Sequence, residues 1–186
     1  MLNVPNALTL VRIMCVPLLL SLLADGDYRF ALAVFVIAGI TDGLDGMLAR
    51  LTNARTQLGA HLDPAADKLL LTSTYITLGI LGDAPVQLMI LVVVRDVIIL
   101  GGFLLSGAVV GRYMEMAPSV WGKATTCLQI LAVIGVLTSR AALAPLEPSR
   151  LAVLFVVTGV VTVISGADYV WRGIRWYQSG PPPLKT

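Results

Sequence analysis

Six apolar stretches follow one another along the 186-residue chain, with short polar or proline- and glycine-containing segments between them. Each stretch is close to the roughly 20 apolar residues that an α-helix needs to cross a bilayer. The stretches cover about 6–24, 28–50, 61–82, 86–107, 119–139 and 150–172. The pattern predicts an all-α integral membrane protein with six transmembrane helices, forming one domain over residues 1–186.

The composition excludes several other classes of protein. Hydrophobic residues make up 57% of the chain and charged residues 13%, about half the charged share of soluble domains. A net charge of +2 gives no support to a nucleic-acid partner, and one histidine, His61, excludes a histidine-rich zinc site. Cys15 and Cys127 lie inside apolar runs, so we expect small buried side chains and not a disulfide framework. The first apolar run lacks the basic start and the cleavage site of a signal peptide.

The distribution of basic residues predicts the orientation in the membrane. With six crossings, both termini lie on one side, together with the end of the second helix. That side carries Arg50, Arg55, Arg112, Arg172, Arg175 and Lys185, and the opposite side carries Arg29, Arg140 and Arg150. Lysine and arginine accumulate on the cytoplasmic side of membrane proteins, so both termini are expected in the cytoplasm.

Four aspartates lie within 26 residues, at the ends of two consecutive predicted helices. Asp42 and Asp45 are spaced i, i+3, and Asp63 and Asp67 are spaced i, i+4, so each pair lies on one helix face. A short loop between the helices brings the two pairs together. Four carboxylates at close range do not all stay ionised without cations. A ligand set made of oxygen atoms favours hard ions such as Mg²⁺ or Mn²⁺, and the sequence therefore predicts a site for these metals.

The residues around the aspartates favour a phosphate ligand. Gly46 and Gly59 lie in or beside the predicted helices, where glycine costs about 1 kcal/mol relative to alanine. Close approach of a ligand or of a neighbouring backbone is a reason to accept that cost. Arg50 carries a forked donor that suits phosphate, and Ala49 leaves space beside it. The combination indicates a pyrophosphate site. The alternative, in which the aspartates only cap helices or pair with Arg50, Arg55 and Lys68, explains single residues but not the whole set.

From Asp42 to Asp67 the chain reads D-x-x-D-G-x-x-A-R, then eight residues, then G-x-x-x-D-x-x-x-D. This resembles the signature of the CDP-alcohol phosphotransferase family at every fixed position. The stretches PNALTLVR, LDPAADK, VVVRD and GKATTCLQ are also similar to members that make phosphatidylglycerophosphate or, with release of CMP, cardiolipin. The resemblance implies a six-helix enzyme, usually a homodimer, whose active site faces the cytoplasm and which uses a CDP-linked lipid donor and an alcohol acceptor.

The resemblance also implies roles for single residues. The four aspartates match the metal ligands for two Mg²⁺ or Mn²⁺ ions, and Asp67 also matches the proposed general base. The positions expected to bind the nucleotide and its phosphates are Asn6, Thr9, Asp45, Gly46, Ala49, Arg50 and Gly59. Two metal ions are suited to neutralising a diphosphate and stabilising CMP as the leaving group.

The acceptor stays open between glycerol 3-phosphate and phosphatidylglycerol. Arg95, Arg112, Lys123 and Arg172 are candidates for binding it, because a phosphate-bearing acceptor needs basic residues. Each has an alternative role. Arg95 pairs with Asp96 in packing, Lys123 reaches towards the membrane interface, and Arg172 forms a surface pair with Asp168. An aromatic belt is expected at the end of the last helix, from Trp171, Trp176 and Tyr177.

Two alternatives of other classes also use intramembrane carboxylates. A membrane prenyltransferase acts on a diphosphate with Mg²⁺, but its aspartate pattern differs and lacks the frame of Gly46, Arg50 and Gly59. A small cation transporter spreads its carboxylates over several helices near the bilayer midplane. The concentration of aspartates at one helix end argues against it.

Overall fold

The fold is taken from a computed structural model, which describes the backbone of residues 4–52, 57–110, 119–144 and 146–178. Side chains are described for residues 13–41, 68–106, 119–144 and 146–178. Over these ranges the chain forms helices and turns without strands, as predicted. The helices are α1 (Val4–Ala24), α2 (Tyr28–Thr52), α3 (Gln57–Ile80), α4 (Val86–Val110), α5 (Val120–Arg140) and α6 (Pro148–Gln178).

Two of the predicted helix boundaries are wrong. The helix α3 begins at Gln57 and not near His61, so the loop predicted after residue 50 is shorter. Glutamine, leucine and alanine in that segment favour a helix, and the single Gly59 does not end it. The helix α6 continues to Gln178 and not only to about 172. A helix that crosses a membrane continues beyond the hydrocarbon, where arginine and aromatic residues are tolerated.

The six helices pack as a ring. The helix α1 lies between α2 and α3, α3 packs on α4, and α4 packs on α6. The helix α6 packs on α5, which returns to α2 and also touches α3. The ring therefore places α3, α4, α5 and α6 around a shared interior.

Three turns lie together at one end of the bundle, which we call the turn end (residues 25–27, 81–85, and 141–144 with 146–147). In each turn one residue adopts a positive φ: Gly26 at 77°, Gly82 at 79° and Ala142 at 55°. The N–H groups of this residue and the next bond back to the preceding helix, as in the Schellman motif. The opposite end, where α2 ends and α3 begins, we call the aspartate end.

The interior changes character between the two ends. Towards the turn end it is apolar, with buried Leu23, Phe35, Leu78 and Leu137. Towards the aspartate end, the buried residues of α4, α5 and α6 include Arg95, Ser119, Thr125, Gln129, Thr162 and Ser165. Polar groups buried in this way need partners, so they position the helices around them.

The outer surface is apolar, as in a membrane protein. In the described part of the chain, three helical stretches are long and apolar enough to cross a membrane: Val86–Ser106, Val120–Arg140 and Pro148–Gln178. The apolar stretches described for α1, α2 and α3 are shorter: Ile13–Ala24, Tyr28–Thr41 and Lys68–Ile80. Both cysteines are free thiols, but burial was wrongly predicted for Cys127, which is exposed on α5. A helix face that contacts lipid is as apolar as one that contacts the core, so the sequence does not distinguish them.

Candidate active site

The four aspartates lie on the helices that the sequence predicted. Asp42 and Asp45 belong to the last part of α2, and Asp63 and Asp67 to the first part of α3, with residues 53–56 between the helices. The backbone thus confirms that the i, i+3 and i, i+4 spacings are helical. Their side chains lie outside the described residues, and metal binding by them stays a prediction.

Several other predicted site residues also lie outside the described side chains. For Asn6 and Thr9 the structure gives a place in α1, for Gly46, Ala49 and Arg50 a place in α2, and for Gly59 a place in α3. Arg112 lies outside the described residues altogether. The chemistry assigned to these residues remains a sequence-based prediction.

Lys68, whose side chain is described, directly follows Asp67 on α3. Its Nζ lies 2.6 Å from Oδ1 of Asp96 on α4. The hydroxyl of Thr72, one turn further along α3, donates to Oδ2 of Asp96 at 2.8 Å. Asp96 therefore receives one contact on each carboxylate oxygen from two residues of α3, and this joins α3 to α4 beside the aspartate segment.

Arg95 extends from α4 into the shared interior of the ring. Its Nη1 donates to Oδ1 of Asp96 at 2.7 Å, and its Nη2 lies 3.4 Å from the Ser165 hydroxyl on α6. The guanidinium also lies 5.6 Å from the ring centre of Tyr169, within the range of a cation–π contact. Only 4% of Arg95 is exposed, and its Nε has no hydrogen-bond partner in the described part of the structure.

A glycine on α5 makes room for this arrangement. A Cβ atom at Gly122 would lie 3.3 Å from the Tyr169 hydroxyl and 3.5 Å from Nη2 of Arg95. The Gly122 N–H itself donates to Oγ of Ser119, the N-cap of α5, at 2.9 Å. The helices α4, α5 and α6 therefore meet around the Arg95 guanidinium.

The polar interior continues between α5 and α6. The Thr125 hydroxyl donates to the Val161 carbonyl at 3.1 Å, and Nε2 of Gln129 lies 3.5 Å from the Thr162 hydroxyl. Tyr75 on α3 donates to the Gln129 carbonyl at 3.0 Å. Small and hydroxylated residues let membrane helices approach each other closely. These contacts fix the positions of α3, α5 and α6 relative to one another.

The predicted acceptor residues fall into two environments. Arg95 is interior, and its predicted ion pair with Asp96 is confirmed. Lys123 is exposed on α5. Arg172 is partly exposed and pairs with Asp168 at 3.1 Å, as the i, i+4 spacing predicted.

Trp171 and Tyr177 of the predicted aromatic belt are exposed on α6, and Arg175 lies 5.4 Å from the Trp171 ring centre.

The contacts of Lys68, Thr72, Ser165 and Tyr169 were not predicted from the sequence. Lys68 was predicted only as a possible partner of the nearby aspartates. One signal was present: Lys68 and Thr72 are spaced i, i+4 and lie on one face of α3, and α4 carries a single carboxylate among apolar residues. An intramembrane carboxylate requires partners from a neighbouring helix.

Comparison with known proteins extends over nearly the whole chain. The family model for CDP-alcohol phosphatidyltransferase matches residues 2–167. A probable phosphatidylglycerophosphate synthase of Mycobacterium tuberculosis is 39% identical over 183 residues, covering 93% of this chain and 82% of the relative. A CDP-diacylglycerol–glycerol-3-phosphate 3-phosphatidyltransferase of Bacillus subtilis is 31% identical over 193 residues, covering 94% and 98%.

A third relative has a different name. The human cardiolipin synthase (CMP-forming) is 41% identical over 99 residues, covering 53% of this chain and 33% of the relative. The family match and these three relatives give no support to the prenyltransferase or the transporter alternative. The chain is an enzyme and belongs to the CDP-alcohol phosphatidyltransferase family.

Proposed function

We propose that the protein transfers the phosphatidyl group of CDP-diacylglycerol to a glycerol-type acceptor and releases CMP. The observation that carries this proposal is the family match over residues 2–167, which includes all eight fixed positions of the aspartate signature. The names of relatives that cover most of the chain describe the same class of transfer.

The proposed roles follow the chemistry of that transfer. Two divalent ions, Mg²⁺ or Mn²⁺, bound by Asp42, Asp45, Asp63 and Asp67, would neutralise the diphosphate of the donor. Arg50 binds phosphate oxygens, and the glycines leave room for the nucleotide. Asp67 takes the proton of the acceptor hydroxyl, since a carboxylate within about 3 Å can act as general base.

Two acceptors are consistent with the relatives. Glycerol 3-phosphate is favoured by the Bacillus subtilis relative, whose name specifies it and whose match covers 94% of this chain. Phosphatidylglycerol is favoured by the human cardiolipin synthase, which has the higher identity over a shorter range. Both carry a phosphate, and the exposed cations Lys123 and Arg172 are candidates to bind it.

The test is an assay of purified protein with labelled CDP-diacylglycerol and Mg²⁺ or Mn²⁺. Glycerol 3-phosphate and phosphatidylglycerol are offered separately, and the lipid product and CMP are identified. We expect CMP release that depends on one acceptor. Absence of CMP release with both acceptors and both metals would overturn the proposal, and a prenyl diphosphate donor serves as the negative control.

We further propose that the aspartate end faces the cytoplasm and that the enzyme is a homodimer. The orientation is supported by the excess of lysine and arginine on that side of the predicted helices. The dimer is supported by the family resemblance. Labelling of cysteines introduced at Arg29 and Arg175 in a Cys15→Ala, Cys127→Ala background tests the orientation, and the mass of the purified protein tests the dimer.

A further inference from the structure

Arg95 and Asp96 are neighbours on α4, but their side chains join different helices. Asp96 contacts Lys68 and Thr72 on α3, at 2.6 and 2.8 Å. Arg95 contacts Ser165 and Tyr169 on α6. The ion pair between them, at 2.7 Å, connects the two sets of contacts. The pair thus links α3, which carries two of the predicted catalytic aspartates, to α6.

Stability alone does not account for this pair. Both side chains lie inside a stretch of α4 whose apolarity suits a membrane span. Burying an ion pair costs desolvation energy that its attraction often fails to recover, and apolar residues of similar volume often serve stability as well or better. A buried ion pair of this kind is better explained by the particular geometry that it fixes.

The geometry that Asp96 fixes is the rotation of α3. Lys68 and Thr72 are one turn apart, about 6 Å along the helix axis, and each contacts a different oxygen of Asp96. Rotation of α3 about its axis would move both Lys68 and Thr72 away from Asp96, and because the two contacts are separated along the axis they also resist tilting, for which a single contact would act as a pivot. Asp67 precedes Lys68 in the same unbroken helix, so any rotation of α3 turns both residues by the same angle.

We propose that Asp96 is a positioning residue for the transfer reaction, which it serves by holding α3, and with it Asp63 and Asp67, at one rotational setting through Lys68 and Thr72. Arg95 anchors Asp96 to α6. A rotation of about 15° moves a side-chain end about 5 Å from the helix axis by about 1.3 Å. A displacement of about 1 Å can lower an enzymatic rate about a hundredfold. The inference rests on the proposed function, because it concerns the same reaction.

The test compares two buried carboxylates. Asp96→Asn removes the charge that holds Lys68, and we expect kcat to fall at least about tenfold while KM for CDP-diacylglycerol stays within about threefold. The matched control is Asp83→Asn, since Asp83 is also buried and also binds a cation and a hydroxyl, but at the turn end. We expect Asp83→Asn to lower the melting temperature and to leave kcat within about twofold at temperatures well below melting.

A second variant separates positioning from general damage to the fold. Thr72→Val removes one of the two contacts, and we expect a smaller fall in kcat that is not additive with the effect of Asp96→Asn. We expect Asp96→Glu, which keeps the charge, to recover part of the loss. Equal kcat for Asp96→Asn and Asp83→Asn, or additive effects of Thr72→Val and Asp96→Asn, would overturn the inference. If Asp96→Asn does not fold, Thr72→Val decides: unchanged kcat overturns the inference. Inactive wild-type protein overturns the proposed function instead.

Discussion

Asp83 and Asp96 are buried carboxylates of the same bundle, Asp83 in a turn at the turn end and Asp96 near the middle of α4. Asp83 accepts a hydrogen bond from Tyr28 at 2.7 Å and pairs with Arg140, which is about half exposed. Asp96 pairs with Lys68 and with Arg95, which is almost fully buried. Asp83 joins its turn to α2 and α5 and has a cation that is about half exposed, whereas Asp96 joins α4 to α3 and the side chains of its cations are less exposed, Lys68 by 33% and Arg95 by 5%.

Under the proposed function, this difference separates the part of the molecule that serves stability from the part that serves chemistry. At the turn end the capped turns close the backbone hydrogen bonds, the interior is apolar, and Arg29 donates to the Ala141 carbonyl across the turns at 3.2 Å. Towards the aspartate end the interior is polar, and Arg95 and Gln129 keep atoms without hydrogen bonds among the described residues. A functional site keeps a precise geometry when rigid elements of the fold hold it, and the turn end is a rigid element of this kind.

The strongest test of this division removes a carboxylate at the aspartate end. We expect Asp67→Asn to lower kcat by about 10²- to 10⁴-fold, because an amide does not accept the acceptor proton. In the metal-free protein the melting temperature should stay the same or rise, since one of four mutually repelling carboxylates is lost. The control is Asp25→Asn at an exposed position of the turn end. Near-full turnover of Asp67→Asn would contradict its role as the base.

The next test weakens the turn end. Tyr28→Phe removes the hydrogen bond to Asp83, and we expect it to lower the free energy of unfolding by about 1.5–3 kcal/mol, because the acceptor is charged. Tyr75→Phe removes a bond to a neutral carbonyl and should cost about 0.5–1.5 kcal/mol.

Denaturant unfolding in detergent measures both changes. Tyr28→Phe should leave kcat unchanged within about twofold at temperatures below melting. If Tyr28→Phe lost a larger fraction of its activity than of its folded protein, the proposed separation of stability at the turn end from chemistry at the aspartate end would be contradicted.

The sequence predicted the backbone of both ends better than their contacts. Apolar runs and turn residues predicted six helices, and Gly82 was the predicted end of the third. Ala142 gave no signal, because alanine rarely adopts a positive φ and carries no turn preference. The start of α3 was placed too late, since a polar segment of helix-forming residues was interpreted as a loop.

The interior contacts were less predictable for a physical reason. In a membrane protein both the core and the lipid-facing surface are apolar, so residues such as Cys127 cannot be assigned to one or the other from their type. Asp96 was paired with its neighbour Arg95, but its bonds to Lys68 and Thr72 depend on which helices are adjacent. The spacing of the four aspartates predicted that each pair lies on one helix face. The residues that hold α3 in place could be identified only from the packing of α3 on α4.

A smaller effect is expected from backbone strain at the turn end. Ala142 has φ of 55°, and a left-handed conformation costs a residue with a Cβ about 1–2 kcal/mol. We therefore expect Ala142→Gly to raise the free energy of unfolding by about 1 kcal/mol. The neighbouring Ala141 has φ of −71°, so Ala141→Gly should lower it by a similar amount. Opposite signs at adjacent alanines, measured by denaturant unfolding, test the strain directly, and stabilisation by both would contradict it.

The smallest effect on stability is expected at the ion pair between Asp168, which is partly buried, and Arg172 on α6. Asp168 and Arg172 make an i, i+4 contact, and removal of either partner should cost at most about 0.5 kcal/mol. Their effects on the reaction should differ, because only Arg172 has the charge to bind an anionic acceptor. We expect Arg172→Met to raise the acceptor KM by up to about fivefold, as for an exposed charge contact of about 1 kcal/mol. Asp168→Asn leaves Arg172 charged and unpaired from its neighbour, so it should leave that KM unchanged or lower it. Equal KM values for both variants would restrict Arg172 to helix stabilisation and leave Lys123 as the exposed acceptor candidate among the described residues.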